Sequence, residues 1–576
     1  MSRKLGPIST KKRLFLSGLA AGAISVAVSL LIRLFADGLF LPEIASQTLF
    51  SLTPGEIESQ AVETLGPLAK YSALIGAVVA NIILYGLISL LSLGSGRLHN
   101  RLRLKGYIGN AIQSSILAYV VLFFVGVILF ALSETDIQTK LSSIATLSIH
   151  LILPSIMFGF LLSSFFYEMM HPSIQRRILS SKKQPTTIGT AAGSATNRQT
   201  EIRYTRRQFL QAGIALAVAL PIFYFGLGSL ISPRQEVQQS TSSLLSQFQR
   251  RSAESKPVGF EDPRLAPLIA SEITQTELFY RIDKNPIVPV VMASTWRLTV
   301  KGLVAKPLEI KYPELRNMSS IEEFATLECV SNKLDGDLIS TAVWKGVRLK
   351  DILEKAQVMR RAKYIVFRCY DGYDVGIPLE RGLSEGTILA YDMNGASLTA
   401  EHGYPVRAIV PGLYGMMNPK WITEIELVDG IYEGYWQRKG WANNAKYNTH
   451  SFIVIPGNAA IGKRFSNMAA STAIARSSSP SSGLVPIAGV AFAGDRGISK
   501  VEVSTDGGAT WKDARLKDAL SPYTWVLWTV EVNMTGKANN PYKIIARATD
   551  KTGKIQMAEI ADPFPNGATG YPVINV

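Results

Sequence analysis

Residues 324–336 read FATLECVSNKLDG, and residues 342–353 read AVWKGVRLKDIL. The first stretch holds Cys329, one of two cysteines in a chain of 576 residues; the other is Cys369. Two cysteines cannot build a disulfide framework, although a single bridge between them is open to a domain in an oxidising compartment. No CxxC pair and no metal-spaced histidine cluster accompanies them, which argues against zinc. Between 259 and 475 the histidines are His402 and His450, and neither a Gly-rich phosphate loop nor a Ser-His-Asp set stands out. Taken alone, a lone cysteine reads as an inert buried hydrophobe.

Outward from Cys329 the texture is globular. Apolar alternation in 296–303 (WRLTVKGL), 364–367 and 406–410 predicts half-buried strands. A composition break at 477–483 (SSSPSSG) separates a domain at 259–476 from one at 477–576. The latter gives short strands at regular spacing (VPIAGVAFAG, ISKVEVSTDGGATW, TWVLWTVEVNM, YKIIARATD), with Asp506-Gly507-Gly508 supplying a turn. That pattern predicts a small β-sandwich of the immunoglobulin type.

Toward the N-terminus the chain changes class. Four apolar runs, at 14–35, 71–93, 111–132 and 143–167, are each long enough to cross about 30 Å of hydrocarbon as a helix. The loops between them alternate in charge. Arg3, Lys4, Lys11, Lys12 and Arg13 precede the first run; Asp37, Glu43, Glu56, Glu58 and Glu63 follow it against Lys70 alone. Arg97, Arg101, Arg103 and Lys105 come next, then Glu134 and Asp136 against Lys140, then eight basic residues in 168–207. Basic loops on the cytoplasmic side put the N-terminus inside. The formal charge of +16 is concentrated there: 20 Lys/Arg against 9 Asp/Glu up to Arg207. This placement argues for membrane orientation and against nucleic acid.

After a polar linker at 180–204, residues 205–210 read TRRQFL and an apolar run covers 212–231. This is the pattern of a twin-arginine export signal, read by a translocase that moves folded, cofactor-loaded proteins. Two arginines at the inner end of a fifth span would also satisfy the positive-inside rule. The expected organisation is a four-span domain at 1–179, the linker, signal and fifth span at 205–231, and a Ser/Gln-rich tether at 232–258. The two extracytoplasmic domains follow. The protein is expected in the cell membrane as a multi-pass protein.

Cys329 with Asn332, then Trp344, Gly346, Val347 and Leu349, resembles the signature of the sulfite oxidase family of molybdopterin-dependent oxidoreductases. The resemblance runs through LAYDMNG (389–395), EHGYPVRAIVPGLYGMMNPKWI (401–422), GYWQRKGW (434–441) and NGATGY (566–571), covering about 260 to 576. It implies an α+β molybdopterin domain with one pterin, and Cys329 as the molybdenum ligand. A soft, ionised thiolate suits a high-valent metal. Matching cofactor positions are Tyr280, Arg281, His402, Arg407, Asn418, Pro419 and Lys420, with Cys369 and Asp371 at a polar contact after a strand. Arg407 is a phosphate fork and Lys420 a point charge.

The departures concern substrate. Sulfite oxidases follow the cysteine with Gly-Asn-Arg-Arg, whereas this chain has Ser331-Asn332-Lys333-Leu334, and Trp441 stands where their active-site tyrosine lies. Losing a cationic donor from a buried anion site costs roughly 1.5–3 kcal/mol. Lys333, Asp371 and Trp441 join Cys329 as the candidate catalytic residues, and Arg281, Lys284, Lys333 or Arg438 remain to bind an anion. The implied reaction is two-electron oxygen-atom transfer on sulfite or a related small sulfur compound. The alternatives are reduction of methionine sulfoxide or other S- and N-oxides, as in bacterial relatives lacking the arginine pair, and a non-catalytic membrane-anchored scaffold. No haem motif is evident, so electrons pass to an external carrier, a quinone or a cytochrome, and a homodimer is left open. His150, inside the fourth run, is a functional candidate by virtue of being polar in hydrocarbon, with a hydrogen bond to a neighbouring helix as the simpler role. Arg33 is expected to snorkel.

Overall fold

The computed structural model describes residues 10–36, 38–65, 68–94, 107–132, 137–170, 243–254, 257–456, 484–533 and 542–575. The twin-arginine motif, the fifth apolar run, the polar linker and the break at 477–483 lie outside the described residues. The chain divides into two compact units, Met1–Thr53 with Leu65–Arg234, and Pro54–Thr64 with Gln235–Val576.

The first unit is helical: α1 (Thr10–Ala36), α2 (Leu41–Leu52), α4 (Leu68–Gly94), α5 (Tyr107–Leu132), α6 (Ile137–His150) and α7 (Ile152–Met170). Four stretches are long and apolar enough to cross a membrane: Lys11–Leu34, Tyr71–Ser92, Gly109–Leu132 and Ser143–Phe165. The last spans the α6–α7 junction. Pro154 has no N–H to give the His150 carbonyl, so the helix breaks one residue after His150. α1 packs on α4 and α7, and α5 on α7. Small residues permit the approach: a Cβ on Gly22 would lie 2.5 Å from that of Tyr85, and one on Gly159 would lie 2.2 Å from the Ala111 carbonyl. Ile75, Val79, Ile83 and Leu87 face outward.

Arg33 has a partner: its Nε donates to Glu43 Oε2 at 2.7 Å, and the two side chains are 14% and 6% exposed. Folding α2 back places the carboxylate within reach, and a paired charge costs less than a lone one. His150 Nδ1 accepts the Leu39 N–H at 3.1 Å, a partner in the connection between α1 and α2 and not on a neighbouring helix. It thereby satisfies one donor of the turn between α1 and α2.

The second unit contains helix α3 (Gly55–Leu65, save its last residue) and all the sheets. α8 (Ser243–Glu254) lies inside what reads as a tether. Its Leu244, Leu245 and Phe248 pack against Phe324 and Val343, and Glu322 accepts from the Leu244 N–H and the Ser243 hydroxyl at its N-terminus. One sheet orders β2 (Leu308–Lys311), β1 (Arg297–Gly302), β10 (Ile422–Val428), β5 (Tyr364–Cys369) and β6 (Asp374–Pro378), with β1 and β10 parallel. A second, antiparallel sheet orders β3 (Ile321–Glu328), β4 (Ile339–Arg348), β7 (Ile388–Met393) and β8 (Ala396–Ser397), with β9 (Arg407–Ile409) also on β7. Trp296, Leu298, Val347, Leu349, Ile365, Phe367 and Ile425 fill the core they share. The predicted strands at 296–303, 364–367 and 406–410 fall on β1, β5 and β9.

The C-terminal part pairs two antiparallel sheets over one core of Ile453, Ile487, Val501, Trp528 and Ile544. The first sheet orders β11 (His450–Ile455), β12 (Leu484–Phe492), β16 (Val526–Asn533) and β15 (Arg515–Leu516); the second orders β14 (Lys512–Asp513), β13 (Ile498–Ser504), β17 (Lys543–Asp550) and β18 (Val573–Asn575). β11 lies ahead of the expected boundary at 476/477 yet pairs with β12 from His450 to Ile455. Its HSFIVI run is apolar on both faces, which gives a sequence reader no sign of the sheet it joins. At Asp506-Gly507-Gly508 both glycines have positive φ, 76° and 101°, as the turn requires.

Candidate active site

β3 and β4 pair from Ile321–Gly346 to Glu328–Ile339, so residues 329–338 form the tip of a long hairpin and Cys329 is its first residue. Its N–H donates to Leu338 O at 2.9 Å. Asn332, 3% exposed, clamps the loop: Oδ1 accepts from the Leu338 N–H at 3.0 Å, and Nδ2 donates to Glu328 Oε1 at 2.9 Å. Cys329 Sγ lies 3.0 Å from Ser331 Oγ. Cys369 ends β5 in the other sheet, and no disulfide joins it to Cys329. Burial and the Asp371 and Asp374 carboxylates push the Cys369 thiol well up, which keeps it protonated.

In the turn between β5 and β6, buried Tyr373 donates its hydroxyl to Met416 O at 2.6 Å, and burial pushes its phenol well up. Asp371 heads the turn after β5 and accepts the Tyr373 N–H at 3.0 Å. Lys284 Nζ donates to Gly372 O at 3.0 Å and stands 5.1 Å from the centre of the Tyr435 ring. Asn285 Nδ2 donates to Asp371 O at 2.9 Å. Burial lowers the Lys284 ammonium and raises the Asp371 carboxyl, while each opposes the shift in the other. Both directions ease proton movement between ammonium and carboxylate.

A cationic group lies beside them. Asp283 pairs with Arg281 at 2.5 Å and with Lys420, whose Nζ also donates to Glu401 O at 2.9 Å. These cations hold the Asp283 carboxyl below its ordinary value despite its burial. Arg407, 5% exposed, donates to His402 O and Asn418 O, each at 3.2 Å, and lies 4.9 Å from the Trp344 ring centre. Burial lowers it to about 10. Arg281 and Lys420 therefore share the Asp283 carboxylate, and Arg407 feels its charge without bonding it.

The same burial lowers the His402 imidazole to about 4, with Arg407 adding to the effect. Its Nε2 lies 2.9 Å from Thr276 O, so the neutral ring donates there. An unfolded histidine titrates near 6.5. Between about pH 6.5 and 4 the unfolded chain therefore binds a proton that the folded chain refuses. Stability is full above 6.5 and falls as pH drops toward 4, by about 3 kcal/mol in total. Unfolding of the detergent-solubilised protein across this range should show the slope, and His402→Gln should flatten it. An unchanged slope in that variant would assign the acid sensitivity elsewhere.

The structure brings Tyr280, Arg281, His402, Arg407 and Lys420 together, and Asp371 with Cys369 and Tyr373. Asn418 and Pro419 shape the loop. Asn418 Oδ1 accepts the Val410 N–H, its Nδ2 donates to Leu413 O and Tyr414 O, and the Pro419 carbonyl accepts the Ala408 N–H. Trp441 is buried edge-on against Phe564 at 5.1 Å. Lys333 lies exposed on the hairpin tip. Sequence reasoning missed Asp283, Asn285, Glu328 and Tyr373. The run Arg281-Ile282-Asp283-Lys284 mixes charges as a surface does, and burial alone makes it a site.

Do these groups suit a molybdopterin? A phosphorylated pterin needs fixed donors in a buried slot, and Arg407 Nε is buried without a hydrogen-bond partner among the described residues. The Asn285 Oδ1 acceptor is in the same state. Gly403 leaves the cradle open: with φ +104°, a Cβ there would lie 3.0 Å from that of Lys420 and 3.1 Å from that of Arg407. Gly415 does the same for the Tyr280 hydroxyl, 2.2 Å from such a Cβ. Surplus positive charge, a guanidinium nitrogen without a partner among the described residues and a hairpin-tip thiol outside any disulfide fit the group.

Comparisons with known proteins agree. Residues 285–436 match the model of the oxidoreductase molybdopterin binding domain, and 465–562 that of the Mo-co oxidoreductase dimerisation domain. The chain is 30% identical over 341 residues to sulfite oxidase of Gallus gallus, covering 53% of this chain and 72% of that one. It is 27% identical over 355 residues to sulfite oxidase of Arabidopsis thaliana, covering 52% and 86%. It is 35% identical over 148 residues to the uncharacterized oxidoreductase YuiH of Bacillus subtilis, covering 25% and 72%. Among solved structures, the sulfane dehydrogenase SoxCD from Paracoccus pantotrophus aligns with a TM-score of 0.44 at 22% identity, over 52% of this chain and 80% of that one. The hairpin cysteine, the buried cations and the shared sequence together place this chain in the sulfite oxidase family, as an enzyme whose cofactor is molybdenum–molybdopterin.

Proposed function

We propose that the protein is a membrane-anchored, extracytoplasmic oxidoreductase that carries out two-electron oxygen-atom transfer on sulfite or a related small sulfur compound. The carrying observation is the three-to-one excess of Arg281, Arg407 and Lys420 over Asp283 in a site headed by the hairpin-tip Cys329. Such an excess favours anions, both the pterin phosphate and a sulfur oxyanion. Cys329 would hold molybdenum, while Arg407, Lys420 and Tyr280 would hold the pterin; when bound, the group supplies the two-electron oxygen-transfer chemistry. The protein's own part is to orient the substrate by Arg281 and Lys284, exclude water by Tyr373 and Trp344, and hold a proton at Asp371 or Lys284.

A second reading, reduction of a neutral sulfoxide, draws on Leu334. Its Cδ2 lies 3.2 Å from where a Gly570 side chain would start, beside Ile560, so the hairpin tip is apolar where the related enzymes carry an arginine. A substrate panel separates the two. Sulfite with an artificial acceptor should turn over, and sulfoxides with a reduced dye should not; the reverse outcome would select the reductase. Export by a twin-arginine translocase, five spans with the catalytic domain outside, an immunoglobulin-like sandwich serving a homodimer, and an external quinone or cytochrome complete the proposal. Arg206→Lys with Arg207→Lys should leave the domain inside; unchanged external activity would make that motif incidental.

A further inference from the structure

Helix α3 belongs in sequence to the loop between the first two apolar helices, yet its residues cluster with the catalytic unit. Its best-defined contact there is one buried ion pair. Glu58 Oε2 accepts from Lys439 Nζ at 2.7 Å, and the two side chains are 5% and 4% exposed. Gly55 sits on the Lys439 carbonyl so closely that a Cβ would lie 2.2 Å from the oxygen. A buried pair of this kind is costly to half-remove, since either charge left alone in the interior is uncompensated.

Lys439 does a second thing. Its Nζ stands 5.1 Å from the centre of the Tyr435 ring and 5.9 Å from that of Trp436. Lys284 Nζ stands 5.1 Å from the same Tyr435 ring. Tyr435 thus contacts both a cation paired with Glu58 and a cation that donates to the Asp371–Gly372 turn. A ring quadrupole attracts both.

We propose that α3 is a built-in docking clip of the catalytic unit, and that Glu58 is a positioning residue which, through Lys439 and Tyr435, sets where Lys284 stands. The clip is independent of substrate; the positioning step rests on the reading that Lys284 faces the substrate.

The test uses the full chain in detergent, loaded with cofactor, and three variants: Glu58→Gln, Lys439→Met, and the exchange Glu58→Lys with Lys439→Glu. Two quantities are measured, the thermal midpoint of the catalytic unit and KM against kcat for sulfite. Each single variant should lower the midpoint and raise KM about fivefold with kcat within about twofold, the size of coupling found inside one charge network. The exchange should restore the midpoint but not KM, because it rebuilds the pair and removes the cation over Tyr435. Midpoints unchanged in both single variants would overturn the clip. A lowered midpoint with KM unmoved would overturn the positioning step. If the wild type turns over sulfoxides and not sulfite, the midpoint still decides the clip, and KM is read for the sulfoxide.

Discussion

Cys329→Ser leaves a folded protein that no longer turns over. The hairpin tip is set by backbone bonds and by Asn332, none of which uses the sulfur: Cys329 N to Leu338 O at 2.9 Å, Asn332 to Leu338 and to Glu328. A serine fits the same space. What it changes is the donor, since a hydroxyl is harder than a thiol and hardly ionises. Substitutions one shell out from a metal cost about 10–100-fold, so replacing the ligand itself should cost more than about 100-fold in turnover. Molybdenum analysis and steady-state rates on the same preparation check it. Turnover within about tenfold of wild type with molybdenum retained would remove Cys329 from the reaction. Cys369→Ser is the control. That thiol is buried and held protonated, so its loss should be felt in stability before rate.

The contrast between the two cysteines marks where the sequence stops being legible. Cys329 stands out because a run of motif residues surrounds it, although the β3–β4 hairpin that carries it is not read from alternation. Strands β1, β5 and β9 are legible through alternation, a property of neighbouring residues. Partners far along the chain are not. Glu58 reads as one of several acids that orient a loop, and only the folded chain brings it to Lys439, 381 residues away. Glu43 reads the same way and is taken by Arg33. Asp283 sits in a run whose mixed charges are indistinguishable from a solvated face until burial is known. β11 is hidden for the opposite reason: buried on both faces, it has no period to reveal which sheet it joins. Local pattern fixes elements, whereas compensation of charge is a long-range property that composition does not carry.

Arg407→Met should move two quantities in opposite directions. Among the described residues, the guanidinium has two backbone carbonyls at 3.2 Å, the Trp344 ring centre at 4.9 Å and an Nε with no partner, and no carboxylate binds it directly. Asp283, whose charge acts on it, is already shared by Arg281 and Lys420. A buried cation so poorly compensated is a burden on the cofactor-free protein, as its lowering to about 10 indicates. Methionine keeps the length and the contact with Trp344 but removes the charge. By analogy with buried charges replaced by apolar groups, the cofactor-free protein should gain on the order of 1–4 kcal/mol. The loaded protein should suffer, since charge-assisted hydrogen bonds to a phosphate contribute roughly 1.5–3 kcal/mol, and pterin occupancy at limiting cofactor should fall about 10–100-fold. Thermal unfolding of protein produced without molybdenum gives the first quantity, and pterin content of protein produced with it gives the second. A cofactor-free variant less stable than wild type, with pterin content unchanged, would make Arg407 a strut between two carbonyls instead of the anion's seat. Arg407→Lys distinguishes charge from geometry: a point charge retained without the planar fork should recover part of the binding and none of the relief.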